Sequence, residues 1–231
     1  MRRDSGAVPL KKKCVLFFVR NPERGTVKTR LAQVMGKETA RELYRHFILD
    51  MLSGFEKADC PIIVCYYPKD ALDDIKKVVG EGYVLKPQQG GDLGERMEQG
   101  MADALALGFD RVLLTGSDIP DLSVAFIDEA FAALESYDTV IGPALDGGYY
   151  LIGFKEDSFL PDVFKGIEWG TDTVLTVTLA ILAEYRHSVH LLPALTDIDT
   201  VEDLKTFFRR HRGTKDCPRT MSCLSQLYIT T

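Results

Sequence analysis

The 231-residue chain reads as an α/β protein, a doubly wound and mainly parallel sheet with a late antiparallel excursion. Three observations predict this. Short apolar runs alternate with stretches of helical apolar spacing along most of the chain, the pattern of strand–helix–strand units. Runs such as CVLFFV (14–19) and Val112-Leu113-Leu114 are continuously apolar, as strands buried on both faces must be. The strand-like TVIGPA (139–144) and YYLIGF (149–154) are joined by 145–148, too few residues for a helical crossover, so they should pair antiparallel.

The elements follow in order. CVLFFV is the first strand, and a polar loop, 20–28, leaves it. Ala40, Leu43, Tyr44, Phe47, Ile48, Met51, Leu52 and Phe55 recur at helical spacing and mark an amphipathic helix. PIIVCYY (61–67) is a strand, 71–79 a short helix and 82–85 a weak strand, followed by the Gly-rich loop 87–92. Met97, Met101, Ala104 and Leu105 predict a helix, and the Val112 strand then leads to Asp118. A helix over 124–134, the late strand pair, a helix over 171–185, the strand HSVHLLP and a closing helix over 201–208 complete the domain. Residues 1–13 read as an N-terminal tail, 14–210 as one domain and 211–231 as a C-terminal tail of weak periodicity.

Composition narrows the function classes. A hydrophobic content of 45% with 27% charged residues is that of a soluble globular protein. The net charge of −6 argues against a nucleic-acid backbone or an anionic membrane as partner, while leaving room for a local basic pocket. The five cysteines form no CxxC pair and no cluster with histidine, which speaks against zinc and for reduced thiols in the cytoplasm. The apolar runs are far too short to span a membrane, and no signal-peptide core follows the basic start.

Four segments carry chemistry. In RVLLTGSDIPDL, Asp118 follows a buried strand, the place where open α/β sheets bind ligands, and a carboxylate there suits a hard cation carrying phosphates. Asp121 or Ser123 is better placed to cap the next helix. The loop RNPERGTVKTRLA after the first strand offers Gly25, Lys28 and Arg30 to a phosphate, although it is neither GxxxxGK[ST] nor GxGxxG. In KPQQGGDLGERM, Gly90 and Gly91 permit close approach of a ring or ribose, and Gln88 and Asp92 offer hydrogen bonds to a nucleotide. Asp92 with Glu95 also fits a capping box. In GPALDGGYYLIGF, Asp146, Gly147 and Gly148 make a hairpin turn or, with Tyr149 and the single Trp169, the wall of a sugar or acceptor pocket. The segment Trp169-Gly170-Thr171 before a helix is a further candidate anion seat. LTDIDTVEDL places Asp199 either as a helix cap or as a second metal carboxylate.

Taken together, VRNPERGTVKTRLA, QGGDLGERM, LLTGSDIPDL, GPALDGGYYLIGF, WGTDTVL and DIDTVEDL resemble a bacterial family of glycosyltransferases with the nucleotide-diphospho-sugar transferase (GT-A-like) fold, some members of which belong to arsenosugar biosynthesis. The likeness covers about 14–210. More distantly the chain is similar to 2-phospholactate and molybdenum cofactor guanylyltransferases. The resemblance implies that Arg30 is the phosphate-binding arginine of a Gly-x-Gly-Thr-Arg-like loop, with Lys28 where that signature has a glycine. It implies that Asp118 and Asp199 hold a divalent cation, Mg2+ or Mn2+. Here Val201 stands where the related Val-Asp-Thr-Pro-Glu-Asp pattern has proline, and GSDIPD is not a strict Asp-x-Asp motif.

These readings predict a metal-dependent transferase using a nucleotide-diphospho-sugar donor and a small-molecule acceptor. Lys28, Arg30 and Asp118 act at the diphosphate, and Asp146 at an acceptor hydroxyl as general base. The alternative is nucleotidyl transfer from a nucleoside triphosphate to a small phosphorylated or acidic acceptor. A second alternative is a non-catalytic nucleotide-binding protein.

Overall fold

Successive residues of β1 (Lys13–Arg20) face different layers. In the computed structural model, which describes residues 12–23 and 27–229, Val15, Phe17 and Val19 join one buried cluster, and Cys14, Leu16 and Phe18 the other. Side chains alternate across a strand, so a continuous apolar run needs cover on both faces. One face is covered by α2 (Lys37–Phe55), α3 (Leu72–Val79), α5 (Val124–Ala133), α7 (Val201–His211) and α8 (Pro218–Ile229). The other is covered by α4 (Leu93–Ala106) and α6 (Val174–Glu184). All eight apolar residues expected on the face of α2 are buried. No helix among the described residues is long and apolar enough to cross a membrane.

The remaining strands are β2 (Ile62–Tyr67), β3 (Val84–Pro87), β4 (Arg111–Thr115), β5 (Thr139–Pro143), β6 (Tyr149–Lys155) and β7 (Val189–Leu191), and the sheet order is β3-β2-β1-β4-β6-β5-β7. β1 runs parallel to β2 and β4, with Leu16 opposite Ile63 and Leu114. β6 is antiparallel to β4 and β5, the late excursion expected from the short 145–148 connection. The chain builds outward from β1 through β2 and β3, then returns to place β4 on the other side of β1. That reversal opens a crevice beyond the carboxyl ends of β1 and β4, where α/β sheets bind ligands.

Three local expectations shift. The weak strand forms at Val84–Pro87 rather than 82–85, because β3 is an edge strand and tolerates a proline. The helix expected from Thr171 begins at Val174; the Thr171 hydroxyl instead donates to the Glu168 carbonyl at 2.8 Å, so Trp169-Gly170-Thr171 closes a turn ahead of the helix. The stretch expected as a weakly periodic C-terminal tail contains α8, which packs on α2 and buries Leu224 fully. Its first turn is capped from far away in sequence. The buried Asp50 carboxylate accepts the N–H groups of Arg219 at 3.2 Å and Thr220 at 2.8 Å, two donors that a helix start otherwise leaves unpaired.

Candidate functional site

Asp118 follows β4 by three residues, and its neighbour Ile119 is buried in the core, which fixes the turn. The Asp118 carbonyl accepts the N–H of Ile198 at 3.0 Å. This bond, with Leu195 N–H donating to Pro143 O at 3.0 Å, lays the extended segment 194–199 beside the ends of β4 and β5. Ile198 is buried, while its neighbours Asp197 and Asp199 are only partly so. Helix α7 is capped by Thr200: its hydroxyl accepts from Asp203 N–H, and the Asp203 carboxylate accepts from Thr200 N–H at 2.8 Å. With that cap taken, the Asp199 carboxylate is released toward the crevice.

Lys28 meets both carboxylates. Its backbone is left-handed (φ 48, ψ 50), an uncommon state for a residue with a side chain and one that recurs at functional sites. Its Nζ pairs with Asp118 Oδ1 and, at 2.9 Å, with Asp199 Oδ1, above the ring of Phe47. The Lys28 side chain is 3% exposed, whereas those of Asp118 and Asp199 are 46% and 50% exposed. Burial works against its charge, but Asp118 and then Asp199 outweigh that, so the ammonium is held more firmly than an ordinary lysine. Behind it, the Tyr44 hydroxyl accepts from Arg20 N–H at 3.1 Å and shares a 2.6 Å hydrogen bond with Ser117 Oγ, joining the ends of β1 and β4. Burial, with the Asp118 charge adding, pushes this phenol up to about 12.

These groups line a cleft of about 480 Å³, in the size range of small-molecule sites. Its charged lining residues are Arg20, Lys28, Arg30, Arg96, Asp118 and Asp199. Arg30 is exposed, and the Arg96 guanidinium lies 4.5 Å from the ring centroid of Tyr67. Two carboxylates converging on one cation form a hard-oxygen seat. Magnesium and manganese fit such a set, since they are commonly held by one or two carboxylates together with water and substrate phosphates. Among the described residues no group of three histidine, cysteine or acidic side chains forms a complete metal cage.

The other expected site residues divide. Gln88 lines the cleft, its amide donating to the Cys65 carbonyl at 2.8 Å. Gly90, Gly91 and Asp92 lie in the exposed loop ahead of α4. There Asp92 caps the helix by accepting Glu95 N–H at 2.8 Å, and Glu95 answers by accepting Gly91 N–H at 2.7 Å. Asp146 forms the turn before β6, its carboxylate accepting Gly148 N–H at 2.9 Å. Gly147 has φ +92, and a side chain there would stand 2.1 Å from the Asp172 carbonyl, so this glycine serves a close backbone approach. Tyr149 lines the cleft, and Trp169 meets its ring edge-on at 6.2 Å. Trp169 also packs against α4, where a side chain on Gly94 would come within 2.7 Å of its ring nitrogen. Asp146, Gly147, Gly148 and Trp169 are not among the residues lining the cleft. Gly25 lies outside the described residues.

Sequence reasoning did not single out Tyr44, Ser117, Arg96 or Asp197 as site residues. Tyr44 and Arg96 carry ordinary helical patterns, and only the fold shows what their tips reach. Asp197 had a signal in its i, i+2 spacing with Asp199. Its Oδ1 is buried without a hydrogen-bond partner, and burial, then Asp146, Asp118 and Asp199, push its pKa up to about 7 against the pull of Lys28.

Residues 51–171 match a family described as an uncharacterized protein conserved in bacteria (DUF2064). A 2-phospho-L-lactate guanylyltransferase of Methanothermobacter thermautotrophicus is 29% identical over 197 residues, covering 81% of each chain. A solved structure from Desulfovibrio desulfuricans G20, described as a nucleotide-diphospho-sugar transferase, is 44% identical with a TM-score of 0.89, covering 93% of this chain and 94% of that one. The fold alone is shared with 4-diphosphocytidyl-2C-methyl-D-erythritol synthase of Anaerococcus prevotii, at 16% identity, a TM-score of 0.56 and coverage of 84% of this chain and 94% of that one.

Proposed function

Starting from the fact that this chain belongs to the DUF2064 family of bacterial proteins, we propose that it transfers a nucleotidyl group from a nucleoside triphosphate to a small acceptor that is itself an anion. The observation that carries this reading is the charge of the cleft. Four basic residues and two acidic ones line it, on a chain whose net charge is −6. Such a pocket gathers two anionic substrates against the field of the whole molecule.

In this reaction an acceptor oxygen forms a bond to the α-phosphorus. The bond from that phosphorus to the bridging oxygen breaks, and its electron pair leaves with pyrophosphate. A phosphate or carboxylate acceptor arrives already ionised, so it needs positive charge and orientation rather than a base. Lys28 and Arg30 bind the polyphosphate, Arg30 as a two-pronged donor from the first turn of α1 (Thr29–Met35). Asp118 and Asp199 would hold the divalent cation, which when bound neutralises charge growing on the leaving phosphate. The aromatic side of Tyr149 supports the transferred group. A relative whose name makes it a 2-phospho-L-lactate guanylyltransferase fits an anionic acceptor.

A second reading, glycosyl transfer from a nucleotide-diphospho-sugar to a small acceptor, is favoured by the 44% identical structure described as a nucleotide-diphospho-sugar transferase. The two are separated by their leaving groups. Protein with manganese, each nucleoside triphosphate and a panel of phosphorylated and carboxylate acceptors should release pyrophosphate. Release of nucleoside diphosphate from nucleotide sugars, with no pyrophosphate from any triphosphate, overturns the first reading in favour of the second.

A further inference from the structure

We propose that Lys28 is a resident counter-ion in the metal seat, which keeps a bare divalent cation out and lets one in only with a polyphosphate. The inference rests on the reading above for the identity of that polyphosphate. Its geometry stands apart from that reading. One ammonium is within ion-pair distance of both Asp118 and Asp199, the two carboxylates that would hold the metal. It contacts them from the buried side, 3% exposed, over the Phe47 ring, while both carboxylates open to solvent. A cation approaching from solvent therefore meets a carboxylate pair whose negative charge is already half neutralised, with a positive charge just behind it. At such separations the repulsion is large even when screened by protein and water.

A polyphosphate changes that balance. It brings negative charge to the ammonium and to the ion together, so Lys28 gains a new partner as it yields part of its hold on the aspartates. The anchor for such a shift is present. Lys28 lies between buried Val27 and buried Leu31, and its carbonyl accepts Ala32 N–H at 2.8 Å in the first turn of α1. The backbone is fixed, and the flexible four-carbon stem carries the charge between partners. In this arrangement Lys28 sets the order of binding: the metal arrives with the nucleotide rather than ahead of it.

The test counts bound manganese by the electron paramagnetic resonance signal of the free ion, with and without nucleoside triphosphate. Without nucleotide, Lys28→Met should bind manganese more tightly than the unmodified protein by roughly tenfold or more, and Lys28→Arg should not. Adding Asp118→Asn to Lys28→Met should abolish the gain. With nucleotide the order should invert, Lys28→Met taking up less manganese–nucleotide than the unmodified protein. Lys28→Gln provides the same comparison if the methionine variant melts early. Folded Lys28→Met or Lys28→Gln with unchanged or weaker affinity for bare manganese overturns the proposal. A gain in affinity in a protein that takes up manganese with a nucleotide-diphospho-sugar but with no triphosphate would uphold the counter-ion and remove the nucleotidyl-transfer reading instead, whereas uptake of manganese with neither would overturn the proposal.

Discussion

Asp118 and Asp199 are each the acidic neighbour of a buried isoleucine, Ile119 and Ile198, and this is why their carboxylates stay put while half exposed. Asp118→Asn keeps the shape and removes the charge. Manganese-dependent nucleotide binding should fall by about tenfold or more, with the melting temperature little changed. Asp199→Asn makes a cleaner variant, because Thr200 and Asp203 carry the helix cap and α7 should be untouched. A matching loss there, read by titration calorimetry, reports on the cation seat rather than on folding. Arg30 is exposed at the cleft. Arg30→Ala should weaken triphosphate binding by about 1.5–3 kcal/mol, the worth of a hydrogen bond to a charged group, and weaken nucleoside binding far less. Equal losses for both ligands would reduce Arg30 to an organiser of its loop.

Among the elements, the junction of β5 and β7 adds a carboxylate clasp to its backbone hydrogen bonds. Asp138 accepts from the Ser188 hydroxyl at 2.7 Å and from its N–H at 2.9 Å, and Lys155 is 3.5 Å away. The Ser188 donors hold the Asp138 carboxyl below its ordinary value of 3.8. A carboxyl whose folded pKa is depressed stabilises the fold above the unfolded value, and that stabilisation is lost as pH falls through the folded one. The unmodified protein should therefore lose more stability than Asp138→Asn between about pH 4.5 and pH 3, measured by urea midpoints at each pH. Helix α8 depends on Asp50 in a comparable way. Asp50→Ala removes the acceptor for two N–H groups and should cost about 1.5–3 kcal/mol, with α8 fraying first in hydrogen exchange.

At the scale of the molecule, the site is the meeting point of segments far apart in sequence: the loop after β1, the turn after β4 and the strand-like approach to α7. A ligand that bridges them stabilises the whole sheet rather than one loop. Triphosphate with manganese at about 100 times its dissociation constant should add roughly 2.7 kcal/mol of apparent stability. The stabilisation should drop to about half or less in both Asp118→Asn and Arg30→Ala, as losses of about tenfold or more in affinity require. A nucleotide shift of equal size in all three proteins would place the ligand elsewhere.

Local pattern sufficed for the sheet, the apolar face of α2 and the position of Asp118, because burial on a strand or helix leaves a period that the residues themselves display. The antiparallel β6 was legible for the same kind of reason: 145–148 is too short to do anything but turn back. The capping role of Asp92 was legible from its spacing to Glu95, whereas the choice left open for Asp199, helix cap or metal carboxylate, is narrowed only in three dimensions, where Thr200 takes the cap of α7. Helix α8 has helical spacing in Cys217, Met221, Leu224 and Leu227, but its cap, Asp50, lies 170 residues away, and only the fold shows that its apolar side is covered by α2. The Lys28 bridge was equally out of reach. Sequence placed a lysine near a phosphate loop, but the pairing of its ammonium with Asp118 and with Asp199, 171 residues away, exists only where the reversal between β1 and β4 brings their ends together. Periodicity is a property of neighbours along the chain, and convergence is a property of the fold.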